Sequence, residues 1–250
     1  MGLIKEFFTG WSLLRSFHRL APQERDIVFY AEGRGDWPHL GPIVDELTGS
    51  MGRKVWYATS DESDPMLASA NRNLHSFFLG SGAERTIFFR GVESKVIVMT
   101  LPDLESFQLK RSIYPAHYVY VFHSIVSSQM AYRKGAFDAY DTVFCVGPHH
   151  LDEIRMSEVA YGLKPKSLIE HGYGRLDRIL EMASRHPAYS SNPGSRKTVL
   201  LAPSWGVGSL IEDTCGTELI DLLLSGGHST ILRLHPMTLR RLPRLAGELL

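Results

Sequence analysis

From Asp26 onward the sequence alternates between short runs of β-formers and longer amphipathic stretches, a rhythm that few folds accommodate. The runs "DIVFYAEG", "KVWYATS", "SKVIVMTLPDL", "HYVYVFH" and "DTVFCVG" read as five strands, apolar at consecutive rather than alternate positions. Both faces of such strands must be covered, which calls for a parallel sheet with helices on either side. Between them "WPHLGPIVDELTG", "PMLASANRNLHSFFLGSG", "AYRKGAFDAY" and "PHHLDEIRMSEVAYGL" predict helices, the last with Pro148 in its first turn. The expectation is a complete, doubly wound α/β domain over residues 21–184.

"RHPAYSSNPGSRK", residues 185–197, has two prolines, a glycine and three serines without apolar periodicity, and reads as a linker. After it the pattern restarts over residues 198–250 with "TVLLAPS", "GTELIDLLLSG", "STILRLH" and "LRRLPRLAGELL". This is the start of a second Rossmann-like unit with only two strands before Leu250, so it reads as incomplete. Two strands bury too little apolar surface to stand alone, and Leu242, Leu245, Leu249 and Leu250 need a surface to cover. Self-association as a homo-oligomer, or a borrowed partner, is expected.

Ahead of the first strand, residues 1–20 form an amphipathic segment. Leu3, Phe7, Trp11, Leu14 and Phe17 recur near helical spacing beside Lys5, Arg15, His18 and Arg19. Such a helix can dock on its own domain or lie on the inner face of a membrane. No stretch of about 18 uncharged apolar residues is present to span a bilayer, and "MGLIKEFF" lacks the apolar core of a signal peptide. Cys145 and Cys215 form no disulfide framework, which favours a reducing, cytoplasmic setting. Lys plus Arg equals Asp plus Glu at 27 each, so no global field recruits nucleic acid.

Open parallel sheets bind ligands at the carboxyl ends of their strands. There the sequence places "EGRGDWPH", "LPDLES", His123 with Ser124, Ser127 and Ser128, and "GPHH". In the second unit the strand ends carry "PSWGVGS" and, with Arg233 two residues before it, His235. Two strands, one in each unit, thus end in a histidine, and in a cleft between the units these would face each other. Neither glycine run matches the dinucleotide fingerprint, "GPHH" lacks a third metal ligand, and no nucleophile elbow occurs. No metal and no cofactor are expected. The residues alone reach an α/β protein whose histidines and arginines suit a phosphorylated ligand.

Five segments stand in a suggestive order: His123 ending a strand, "FDAYDTVFCVG", "IEHGYGRLD" at 169–177, "VLLAPSWG" at 199–206 and "ILRLHP" at 231–236. Together they resemble the CDP-glycerol glycerophosphotransferases of teichoic-acid and capsule synthesis, over about residues 95–240. The resemblance implies two Rossmann-like domains in the GT-B arrangement. It also implies transfer of glycerol phosphate from CDP-glycerol, or a related CDP-polyol, to a hydroxyl of a membrane-attached polymer, with CMP leaving. His123 would be the general base, with Ser124 and Ser127 as hydroxyl neighbours, and His235 with Arg233 would steady the donor phosphates.

Arg175 and Asp177 match the family's Gly-x-Pro-Arg-x-Asp, with Gly174 in place of the proline. Ser204 keeps the hydroxyl of Ala-Pro-Thr-Trp ahead of Trp205, and N–H groups around Gly206 would cradle a phosphate at a helix start. Ser124 stands where the family has glycine, and the family's later Thr/Ser-Asp-x-Ser-Ser segment does not occur before Leu250. Two other readings fit the same architecture: a nucleotide-sugar glycosyltransferase or sugar 2-epimerase, and a non-catalytic acceptor-binding module.

Overall fold

A computed structural model describes residues 11–106, 109–185 and 197–249. Its first strand, β1 (Ile27–Ala31), shows how a run of consecutive apolar residues is used. Val28 and Tyr30 enter one hydrophobic cluster and Phe29 and Ala31 the other, one on each side of the sheet. The same alternation recurs through β2 (Val55–Thr59), β3 (Leu74–Phe78), β4 (Val96–Met99), β5 (His117–Val121) and β6 (Thr142–Cys145), and β7 (Ser167–Glu170) closes the sheet as a largely exposed edge strand. All pair in parallel, in the order β3-β2-β1-β4-β5-β6-β7. Strand order reverses between β1 and β4, the switch point where such sheets open a crevice at their carboxyl ends.

The helices in chain order are α1 (11–18), α2 (Trp37–Thr48), α3 (Ala83–Gly91), α4 (Ser128–Ala131), α5 (Pro148–Tyr161) and α6 (Gly174–Ser184). Two expected helices are corrected. Residues 65–82 form a short 3₁₀ turn, Pro65–Ala68, and then β3. The Asn71 side chain accepts the N–H of Asn73 at 3.0 Å, and Asn73 donates to Thr48 O at 2.9 Å. Such bonds compete with the helical ladder, so the β-formers Phe77 and Phe78 extend the sheet instead. The crossover helix is α3, unannounced in the sequence reading, which buries Phe88 and Phe89. Residues 131–140 are mostly turns, with Gly135 at φ 85°, and the helical part is α4 just before them. Strand β7 also went unread; it lies at the sheet edge and is largely exposed, so it lacks the apolar run of a central strand.

Helix α1 docks on its own domain. Phe17 is 2% exposed and meets Trp56 and Phe88 edge-on at 5.4 and 5.6 Å. Leu14 packs on Gly91, where an added Cβ would press on Leu14 Cδ2, and His18 Nε2 donates to Gly91 O at 2.9 Å. The apolar positions Leu3 and Phe7 of the same periodicity lie outside the described residues.

The chain divides into two compact units, Met1–His186 and Pro187–Leu250. The predicted linker, 185–197, straddles this division, and residues 186–196 lie outside the described ones. The second unit pairs β8 (Thr198–Leu201) with β9 (Ser229–Leu232) in a two-stranded parallel sheet. Around it lie α7 (Gly216–Ser225), α8 (Pro236–Arg241) and α9 (Pro243–Leu249). Its core is small: Ile211 and Leu234, with Ile220, Leu232 and Leu245 packed against them. Leu200 and Ile231 remain 59% and 54% exposed. Among the described residues no helix is long and apolar enough to cross a membrane.

Candidate functional site

Strand alternation places His123. On β5, Val119 and Val121 face the cluster that contains Leu40 and Val44 of α2, while Tyr118, Tyr120 and Phe122 face the other side. His123 continues the Val119–Val121 series and emerges, half-buried, beside the start of α2. Its Nδ1 lies 3.1 Å from Thr100 O, at the end of β4, and 3.4 Å from the Tyr120 hydroxyl. A carbonyl only accepts, so the proton sits on Nδ1 and the lone pair on Nε2. The peptide of His123 is held as well, since the Tyr173 hydroxyl donates to its carbonyl at 3.1 Å.

A second imidazole, which the sequence reading missed, stands next to it. His39, in the first turn of α2, meets the His123 ring at 6.2 Å and the Tyr173 ring at 5.4 Å. It is 6% exposed, and burial, then the charges of His123 and Arg175, lower its pKa to about 4. Helix α2 is aimed here by a tight turn in which Asp36 accepts the N–H groups of Glu32 at 2.8 Å and Gly33 at 3.4 Å. Glu32 directly follows β1 and pairs with Arg85 at 3.5 Å, and Arg85 also donates to the Tyr30 hydroxyl at 3.0 Å. The available signal for His39 was its place just after β1, at the carboxyl end of the sheet.

The serines after His123 build the loop. Ser124 Oγ accepts from Val126 N at 3.3 Å. Ser127 caps α4, accepting from Gln129 N and Met130 N at 3.2 and 3.3 Å. Ser128 donates through both its N–H and its hydroxyl to Glu153 on α5, at 2.6 and 2.5 Å. The "GPHH" pair serves the same loop, with His149 reaching Ile125 O at 3.2 Å and His150 reaching Val126 O at 2.8 Å. Arg175 and Asp177 are exposed in the first turn of α6, Arg175 within electrostatic reach of His39. Gly174 begins that helix against Pro42 of α2, where an added Cβ would come within 3.2 Å of Pro42 Cγ.

In the second unit, His235 caps α8, its Nδ1 accepting from Met237 N at 3.1 Å. The neutral ring therefore carries its proton on Nε2, the reverse of His123. Trp205 stacks on His235 at 5.9 Å, and Arg241 lies 5.3 Å over the Trp205 ring. Ser204 and Arg233 are exposed. The expectation of a phosphate cradle at a helix start around Gly206 is corrected. The helix begins only at Gly216, and the Gly206 N–H donates at 3.0 Å to Glu212. Glu212 also accepts from the Thr238 hydroxyl at 2.5 Å, and this bond, which outweighs its desolvation, holds the carboxyl below its ordinary range. Gly206 and Gly208, at φ 94° and 78°, occupy the left-handed region that makes glycine necessary there. Among the described residues no group of three or more His, Cys, Asp and Glu side chains could hold a metal ion.

A seven-stranded parallel sheet with a histidine at a strand end beside the switch point, followed by a small second sheet, defines an α/β protein with a Rossmann-like fold of the GT-B type. No family model matches the sequence, and no curated protein does. Among solved structures the chain is similar to the wall teichoic acid polymerase TagF, in variants soaked with CDPG for 15 and 30 minutes. The TM-scores are 0.57 and 0.54, at 13% identity over 98% of this chain. The chain spans 64% and 67% of those two chains. At that identity the likeness is one of fold, and the fold is that of the family the ordered motifs resemble.

Proposed function

We propose that the chain transfers glycerol phosphate, or a related polyol phosphate, from CDP-glycerol to a hydroxyl of a growing teichoic-acid or capsular polymer. The observation that carries this reading is the bond from His123 Nδ1 to Thr100 O at 3.1 Å. It leaves a free Nε2 lone pair at the carboxyl edge of a parallel sheet, where an acceptor hydroxyl can lose its proton. The hydroxyl oxygen forms a bond to the β-phosphorus, its proton passes to His123 Nε2, and the bond to CMP breaks. Negative charge gathers on the phosphoryl oxygens and on departing CMP, so donors and cations stabilise the transition state. Arg175 is an exposed cation whose charge reaches His39 beside this site. In the second unit, His235 offers an Nε2–H donor beside Trp205, and exposed Arg233 and Ser204 offer a charge and a hydroxyl suited to phosphate oxygens.

A polymer acceptor carried on a membrane requires the enzyme to reach the inner membrane face. Helix α1 supports such contact: Trp11 and Ile113 are 48% and 64% exposed on a groove that Arg15, His18 and Arg90 also line. A donor panel tests the reaction. The full chain should release CMP from CDP-glycerol or CDP-ribitol in the presence of a polyol-phosphate acceptor, and should leave UDP-sugars intact. Turnover of UDP-sugars in their place would instead establish a nucleotide-sugar glycosyltransferase or epimerase. Binding of the acceptor without turnover of any donor would leave a binding module.

A further inference from the structure

His39 has a role that the proposed reaction leaves unassigned. The residue is 94% buried, since 6% of its surface is exposed, and its Nδ1 is sealed from solvent without a hydrogen-bond partner. The other ring nitrogen, Nε2, is not sealed in this way. A buried, unpaired N–H costs about 1–3 kcal/mol, so the ring proton belongs on the nitrogen that can still find an acceptor. That nitrogen is Nε2. His123 has the opposite arrangement, because its Nδ1–H is committed to Thr100 O. The two rings lie 6.2 Å apart at 70°, an edge-to-face contact, and Tyr173 steadies both: its ring packs on His39 and its hydroxyl holds the His123 carbonyl.

We propose that His39 and His123 form an imidazole pair of opposite hydrogen-bonding polarity, in which His39 Nε2–H donates to a hydroxyl or phosphoryl oxygen of the substrate while His123 Nε2 accepts a proton. This rests on the phosphotransfer reading only for the identity of that oxygen. Holding His39 neutral is what keeps the pair functional, because two adjacent imidazolium ions would repel and His123 would lose its role as a base. The surroundings enforce neutrality. His123 from β5 and Arg175 from α6 both disfavour a positive charge on His39, in addition to burial, and Tyr173 faces it as an uncharged ring.

Long-range proton–nitrogen NMR correlation on the full chain reads each tautomer directly, with the signals assigned through His39→Gln and His123→Asn. Expected are a His39 protonated on Nε2 alone from about pH 5 to pH 8 and, in the neutral His123 ring, a proton on Nδ1 rather than Nε2. Adding CDP-glycerol or glycerol 3-phosphate should shift the His39 Nε2–H signal. His39→Phe should weaken that binding roughly three- to tenfold, the loss of one neutral hydrogen bond, and His39→Gln should recover most of it. A His39 that carries its proton on Nδ1, or is charged at pH 6, overturns the inference whatever the activity. If the ligands bind, as seen at other residues, without moving His39 and equally to His39→Phe, the donor role is overturned and the phosphotransfer reading stands. If the tautomers are as stated but neither ligand binds anywhere, the pair is upheld and the phosphotransfer reading falls.

Discussion

Glu153 is the side chain that joins the loop after His123 to the body of the domain. Burial pushes its carboxyl up, but hydrogen bonds from Ser128 and then Ser127 outweigh this and hold it below its ordinary range. A depressed carboxylate lends stability at pH values above its unfolded pKa of about 4.3 and loses it as pH falls through the lowered folded value. The Ser128 amide should therefore keep its hydrogen-bonded shift at neutral pH and lose it in acid, below about pH 4. In Glu153→Gln the same amide should show no such titration. An amide that titrates alike in both proteins would assign the loop to another anchor. His123 was legible in the sequence because a histidine ends a run of β-formers where turn residues are usual. His39 was not, because inside "WPHLGPIVDEL" it reads as one polar position on an amphipathic helix, and only packing against β5 brings it to His123. Ser124 and Ser127, expected as hydroxyl neighbours of His123, also bond within the loop, and Ser128 ties it to Glu153, an anchoring that sequence spacing does not show.

At the scale of elements, α1 has two sides with different work. Phe17 fills the core beside Trp56 and Phe88, so Phe17→Ala should cost about 3–5 kcal/mol in denaturant unfolding of the first unit. A loss under about 1 kcal/mol would mean the helix is only loosely docked, well outside the range for a buried phenylalanine. The opposite side, with exposed Trp11 and Ile113 near Arg15 and Arg90, should bind anionic vesicles weakly and in a salt-sensitive way. The double variant Trp11→Ser, Ile113→Ser should sediment less with those vesicles, and equal sedimentation would remove α1 from membrane contact. The parallel strands were readable because burial on both faces leaves an unbroken apolar run, as in Val28 to Ala31. Strand β3 was hidden because "NLHSFF" is short and mixed, and its state is decided by pairing with β2 rather than by its own pattern.

At the scale of the molecule, the two units differ in how much core they own. The first covers a seven-stranded sheet on both faces, and the second has two strands with Leu200 and Ile231 in the open. Amides of 198–249 should exchange with deuterium faster than those of 96–145, and the exposed apolar surface should favour self-association at high concentration. Equal protection in a monomer would show that a small sheet suffices. The account as a whole rests on one nitrogen, His123 Nε2, left free by the bond to Thr100. It is tested most directly by CMP release from CDP-glycerol, with a polyol-phosphate acceptor, by the full chain and by His123→Ala under saturating donor. The variant should be slower by roughly 10²–10⁴-fold, the range for loss of a general base. A variant that releases CMP at a near-normal rate would contradict the account and take His123 out of the chemistry.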